Sequence, residues 1–132
     1  MSVFVDTSFW CALLNRADAN HEAAAGAQAA LEEPQVTTSY VAAATSNLLM
    51  ARARPDIARR YLRQTLLPGW CHVVHPSPAA YDLALEMVLH YRDKDFGLTD
   101  AVSFVVMSES DIREVLAFDA HFGQMGFRMI PE

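Results

Sequence analysis

The sequence predicts an α/β fold, a three-layer α/β/α sandwich around a mostly parallel sheet. Two observations carry that expectation: short apolar segments alternate with helical ones along the whole chain, and several of the short segments are apolar without a break, as strands buried on both faces must be. A third observation gives the class its interest: some of these segments end on an aspartate, and parallel sheets bind ligands beyond the carboxyl ends of their strands.

The elements follow in order. Ser2-Val3-Phe4-Val5 reads as a buried strand ending at Asp6, and Thr7 to Asn15 as a helix. Asn20 to Leu31 is alanine-rich and helical, with Asn20 as its cap and Pro34 just beyond its end. Val36-Thr37-Thr38 is β-prone, and Ser39 is placed to cap a helix from Tyr40 to Ala53. On that helix Ala44 and Leu48 share a face, which predicts Leu48 toward the core and Ala44 beside it. Pro55 opens a helix to about Leu67, Pro68-Gly69 turns the chain, and Trp70 to His75 is strand-like. Ser77-Pro78 starts a helix with Ala80, Ala84, Met87, Val88 and Tyr91 on one side. Thr99 can cap a helix from Asp100 to Ser108 that is apolar nearly all round. Glu114 to Phe118 and Phe127 to Ile130 are the last strands.

A chain of 132 residues, 52% hydrophobic and 20% charged, fits one domain over residues 1–132 with one packed core. No apolar run approaches the roughly 20 residues of a membrane span. Cys11 and Cys71 match no metal or redox spacing and read as reduced core thiols, so a cytoplasmic protein is expected. The net charge of −6 opposes nucleic acid, yet Arg52, Arg54, Arg59, Arg60 and Arg63 make up half of the ten Lys and Arg in one short stretch. Such a patch can hold phosphates, and a solvated helix face is the competing reading.

Asp6 follows the first strand, Asp119 the strand ending at Phe118, and Asp100 stands at the start of a buried helix. Each has a plain role open to it as a helix or turn cap. Jointly they point to one sheet edge, and carboxylates gathered there repel unless a cation such as Mg²⁺ or Mn²⁺ sits among them. That ion would activate water against a phosphodiester.

At these residues the sequence resembles the PIN-domain family, and within it the VapC toxins. Val5-Asp6-Thr7-Ser8-Phe9-Trp10 resembles the first family motif, and Thr37-Thr38-Ser39-Tyr40-Val41 the segment entering the second. Leu98-Thr99-Asp100-Ala101 resembles the third, and Ala117-Phe118-Asp119-Ala120-His121-Phe122 with Gly126-Phe127 the last. The resemblance implies a metal-dependent endoribonuclease toxin, ribosomal RNA favoured over transfer RNA as substrate, neutralised by a cognate antitoxin and forming a homodimer. It implies Asp6, Asp100 and Asp119 as catalytic and Mg²⁺- or Mn²⁺-binding residues, Thr7, Ser8 and Thr99 as their supports, and the arginine cluster as an RNA or partner surface.

One position departs. The family's second-motif glutamate, three residues after the valine, is Ala44 here. The chain as written is therefore expected to be inactive. Deliberate silencing of a toxic nuclease would leave such an alanine, and natural loss is the alternative. A non-catalytic RNA- or antitoxin-binding protein is the competing function. A phosphatase or receiver domain is disfavoured, because Ser8 stands where the former needs a second aspartate and the latter's acidic pair is missing. His121 is expected to be packed or solvated. Asp93 and Asp95 could extend the acidic pocket but are expected to be solvated loop charges; Trp10 and Trp70 could stack bases but are expected in the core or an interface; His72 and His75 are expected at a strand edge.

Overall fold

The computed structural model describes residues 1–52 and 54–132. Its elements are β1 (Val3–Val5), α1 (Thr7–Leu14), α2 (His21–Ala30), β2 (Gln35–Thr38), α3 (Ser39–Ala51), α4 (Pro55–Arg60), β3 (Cys71–Val74), α5 (Pro78–His90), α6 (Leu98–Glu109), β4 (Glu114–Leu116), α7 (His121–Gln124) and β5 (Arg128–Ile130). The five strands form one sheet in the order β3-β2-β1-β4-β5, and each neighbouring pair is parallel. Helices cover the sheet, giving the expected α/β/α sandwich.

The strand order fixes where a ligand fits. The chain steps outward from β1 to β2 and β3, then returns to the other side of β1 for β4 and β5. Right-handed crossovers therefore send the first helices to one face of the sheet and the later ones to the other. The crevice opens where that direction reverses, between the carboxyl ends of β1 and β4. Asp6 N–H donates to the Leu116 carbonyl at 3.0 Å, tying these two strand ends together.

The core explains the apolar runs. All three residues of β1 are buried, as a central strand covered on both faces requires. In α6 every residue from Ala101 to Met107 is buried, which is why no amphipathic period shows there. Phe104 gathers Phe96, Phe122 and Phe127 around it, with ring centroids 5.0 to 5.8 Å away. Trp10 is buried against Tyr61, whereas Trp70 is exposed. Cys11 and Cys71 are free and buried. Among the described residues no helix is long and apolar enough to cross a membrane.

Several local expectations change. Thr38, not Ser39, caps α3 by accepting from Val41 N–H, because the extended residue before the first helical turn has the geometry to do so. The expected end of that helix at Ala53 lies outside the described residues. Asn20 precedes α2 but makes no side-chain cap. The helix from Pro55 changes to π-helical winding over Tyr61–Leu66, which buries Tyr61. Thr99 does not cap α6: the helix starts at Leu98 with Gly97 in the cap position, so Asp100 lies within the first turn. Leu49, not Leu48, joins Val41 and Thr45 on the buried face of α3. The face bearing Ala44, Leu48 and Arg52, each four residues apart, looks instead into the crevice.

Candidate metal centre

Asp6 leaves β1 at the crevice and serves two purposes. Its Oδ2 accepts from Ser8 N–H at 3.1 Å and from Ser8 Oγ at 2.6 Å, capping α1. Its Oδ1 is buried and has no hydrogen-bond partner. The residue is 2% exposed, so this oxygen is an acceptor withdrawn from water with nothing to accept from. Burial pushes the carboxyl pKa up, against the lowering effect of the Ser8 hydrogen bonds. A cation would satisfy that oxygen.

Ser8 supports this geometry. Its Oγ donates to Asp6 and accepts from Phe118 N–H at 3.0 Å, so one hydroxyl joins the segments leaving β1 and β4. Thr7 acts elsewhere: its hydroxyl lies 3.5 Å from the Val41 carbonyl and accepts from Thr45 Oγ1 at 3.3 Å, fastening α1 to α3. Thr99 lines the crevice beside Asp100, and its carbonyl accepts from Ser103 Oγ. Asp119 accepts from the His121 backbone N–H at 2.9 Å, holding the turn into α7.

Asp6, Asp100 and Asp119 line one cavity of about 490 Å³, together with Ala44, Leu48 and Arg52. The Asp100 pKa is pushed up to about 6, first by desolvation and then by repulsion from Asp6 and Asp119. The mutual repulsion, the three carboxylates and the partnerless Asp6 Oδ1 fit a hard divalent cation.

Sequence reasoning missed the place of His121, which is neither packed in the core nor free in solvent. Asp95 is a solvated loop charge, as expected, and it also meets the His121 ring. His121 Nε2 lies 2.8 Å from Asp95 Oδ1, and its Nδ1 lies 2.8 Å from Asp119 Oδ1 and 3.8 Å from Asp100 Oδ2. One donor atom from each of Asp100, Asp119 and His121 lies within 4.8 Å of the other two. The hydrogen bond to Asp95 is the largest cause of a raised His121 pKa. The signal available in the sequence was the spacing: His121 stands two residues after Asp119, in the turn where that carboxylate accepts from the His121 backbone N–H. Asp93 behaves as expected, paired in the open with Lys94.

The arginines divide. Arg52 lines the acidic cavity, while Arg54 and Arg60 line a neighbouring one with Arg16 and Asp56. Arg59 and Arg63 are exposed on the same segment.

Acidic side chains gathered at the reversal point of a parallel sheet mark the ligand-binding crevice of an α/β protein. The PIN domain model matches residues 3–128. The chain is 32% identical over 127 residues to the 23S rRNA-specific endonuclease VapC20 of Mycobacterium tuberculosis, covering 95% of each, in both strain CDC 1551 / Oshkosh and strain H37Rv. The crystal structure of Mycobacterium tuberculosis VapC20, described as a sarcin-ricin loop cleaving toxin, superposes with a TM-score of 0.86 at 31% identity, again over 95% of both chains. The chain belongs to the PIN-domain family and is of its VapC type.

A signed pH dependence follows from Asp100. An acid whose pKa rises from 3.8 to about 6 on folding binds more protons folded than unfolded between those values. Stability of the metal-free protein therefore falls as pH rises from about 4 to 6. Replacing Asp100 with Asn should stabilise the metal-free chain at pH 7 by on the order of 1–3 kcal/mol. The gain should vanish near pH 4 or when Mn²⁺ is added. Urea melts across that pH range check this, and a destabilised Asp100→Asn at pH 7 would show that burial and the neighbouring carboxylates do not disfavour the charged form.

Proposed function

We propose that the chain is an endoribonuclease toxin whose site uses a divalent ion, Mg²⁺ or Mn²⁺, held by Asp6, Asp100 and Asp119, with ribosomal RNA as its substrate. The observation that carries this reading is the buried, partnerless Asp6 Oδ1 in a cavity shared with two further carboxylates. The identity to a 23S rRNA-specific endonuclease supports ribosomal over transfer RNA.

Bound there, the ion would supply an activated water and balance the charge that grows on the phosphodiester. The chain's own residues do the rest. Ser8 fixes Asp6 and the approach to Asp119. Thr7 holds α3 against α1, and Thr99 stands beside Asp100. Arg52 at the cavity, with Arg54, Arg59, Arg60 and Arg63 beyond it, offers the RNA backbone positive charge that the acidic site cannot. A cognate antitoxin would restrain the enzyme in the cytoplasm. The apolar groove between α5 and α6, lined by Leu83, Met87, Leu89, Phe104 and Phe127, provides protein-binding surface for the antitoxin or for a second copy in a homodimer.

Ala44 favours a second reading. It lines the cavity where the family's glutamate is expected, so the chain as it stands is a weak or silent nuclease that still binds RNA or antitoxin.

The test is incubation of ribosomal and transfer RNA with the chain under Mg²⁺, Mn²⁺ or chelator, beside Asp119→Asn. Slow cutting of ribosomal RNA that stops with chelator and with Asp119→Asn is expected. Cutting that survives chelator overturns the metal-dependent reading. In the same material, neutralising Arg59, Arg60 and Arg63 together should weaken RNA binding and flatten its salt dependence. Unchanged affinity for RNA and antitoxin would make that patch a solvated helix face.

A further inference from the structure

The triangle of Asp100, Asp119 and His121 contains a nitrogen, and its geometry is that of a ligand. His121 Nδ1 is buried, lies 2.8 Å from Asp119 Oδ1 and 3.8 Å from Asp100 Oδ2, and has no hydrogen bond in line. A ring nitrogen held against two carboxylate oxygens is stable only with a proton or a cation between them. The far side of the ring is already committed, since Nε2 lies 2.8 Å from Asp95 Oδ1. A carboxylate there accepts a hydrogen bond from Nε2–H, so a cation that replaces the Nδ1 proton would meet the lone pair beside the aspartates, the way metal-bound imidazoles are usually oriented.

The surrounding structure supports that orientation. Asp95 is open to solvent, but the next residue, Phe96, is buried and anchors the loop. The Phe96 ring meets the imidazole edge-on, with centroids 6.2 Å apart at 76°. His121 itself begins α7, whose next residue, Phe122, is fully buried. Both partners are thus placed by core aromatics, although neither belongs to the sheet. The independent sign of an ion is the orphaned Asp6 Oδ1 in the cavity that Asp100 and Asp119 also line. Ala44 leaves the oxygen set one carboxylate short, so a further donor has room in the coordination sphere.

We propose that His121 is a ligand of the divalent ion, giving Nδ1 beside the Asp100 and Asp119 carboxylates, with Asp95 as the positioning residue behind the ring, and that this nitrogen makes the site prefer Mn²⁺ to Mg²⁺. This rests on the metal-dependent reading above. The preference follows from ligand chemistry: Mg²⁺ strongly favours oxygen and retained water, whereas first-row transition ions accept imidazole.

The test uses the full chain with Mn²⁺ as the probe. Pulsed electron paramagnetic resonance should show a ¹⁴N coupling to bound Mn²⁺, replaced by ¹⁵N when the protein is made with ¹⁵N-histidine and lost in His121→Gln. By calorimetry, Asp95→Asn should lower Mn²⁺ affinity by about 10–100-fold, His121→Gln by at least as much, and Mg²⁺ affinity should change less in both. Bound Mn²⁺ without any nitrogen coupling, with affinity unchanged in the two variants, overturns the proposal and leaves the metal-dependent reading standing. A chain that binds neither Mn²⁺ nor Mg²⁺ overturns that reading itself, and the proposal with it. Because the isotope experiment is done on the unmodified chain, a poorly folded variant does not decide the outcome.

Discussion

Replacing Ala44 with Glu is expected to raise metal-dependent RNA cleavage by roughly 10²–10⁴-fold, the usual worth of a group that positions or deprotonates a water. The site for that side chain exists. Ala44 is half-buried on the crevice face of α3, in line with Leu48 and Arg52, and borders the same cavity as Asp6, Asp100 and Asp119. It also borders a smaller recess with Tyr40, Asn47 and Thr99, which places the start of α3 beside the start of α6. A glutamate would extend into open volume rather than into packed core, so the fold should tolerate it. It would add a fourth carboxylate, making the metal-free protein less stable and the metal-bound one tighter. The change should also make the chain arrest growth when expressed without an antitoxin. A folded Ala44→Glu protein that cuts no faster than its parent and is harmless in cells would remove the nuclease reading and leave the binding one.

Phe104→Ala is expected to cost about 3–5 kcal/mol of stability, at the upper end for a truncated aromatic. The ring is 2% exposed and touches three other aromatics, so the void it leaves cannot collapse without moving α7, the loop carrying Phe96 or the turn carrying Phe127. Phe104→Leu, which keeps most of the volume, should cost much less. Urea unfolding of both variants measures the difference. Equal losses for Leu and Ala would mean that ring geometry, not filled volume, holds this cluster. Phe96 and Phe122 both lean on this ring, so any residual Phe104→Ala protein should also hold Asp95 and His121 less firmly.

Much of this architecture was legible because its causes are local. Val3-Phe4-Val5 is apolar on both faces, as a central parallel strand requires, and Asp6 stops it where the crevice begins. Asp100 and Asp119 could be read the same way, each beside a run that had to be core. The errors have local causes too. Thr38 and Ser39 are both good caps, and the one in extended backbone wins; Leu48 and Leu49 are neighbours, and helix rotation alone decides which is buried. The Asp95–His121 pair was out of reach for a different reason. Their sequence separation is 26 residues, neither lies on a periodic element, and only the packing of Phe96 against α6 brings the loop over α7.

The hydroxyl of Ser8 touches a backbone amide 110 residues further along the chain. A site assembled from partners that distant has a temporal property. While synthesis proceeds from the amino end, Asp6 is made early, but the strand that carries Asp119 to it is made late. Until β4 docks, β1 has an open edge, Ser8 has lost one partner, and the carboxylates are not gathered. A growing chain therefore leaves the ribosome with its acidic pocket unassembled, and the activity proposed for that pocket would be withheld from the particle synthesising it until the last strands are in place.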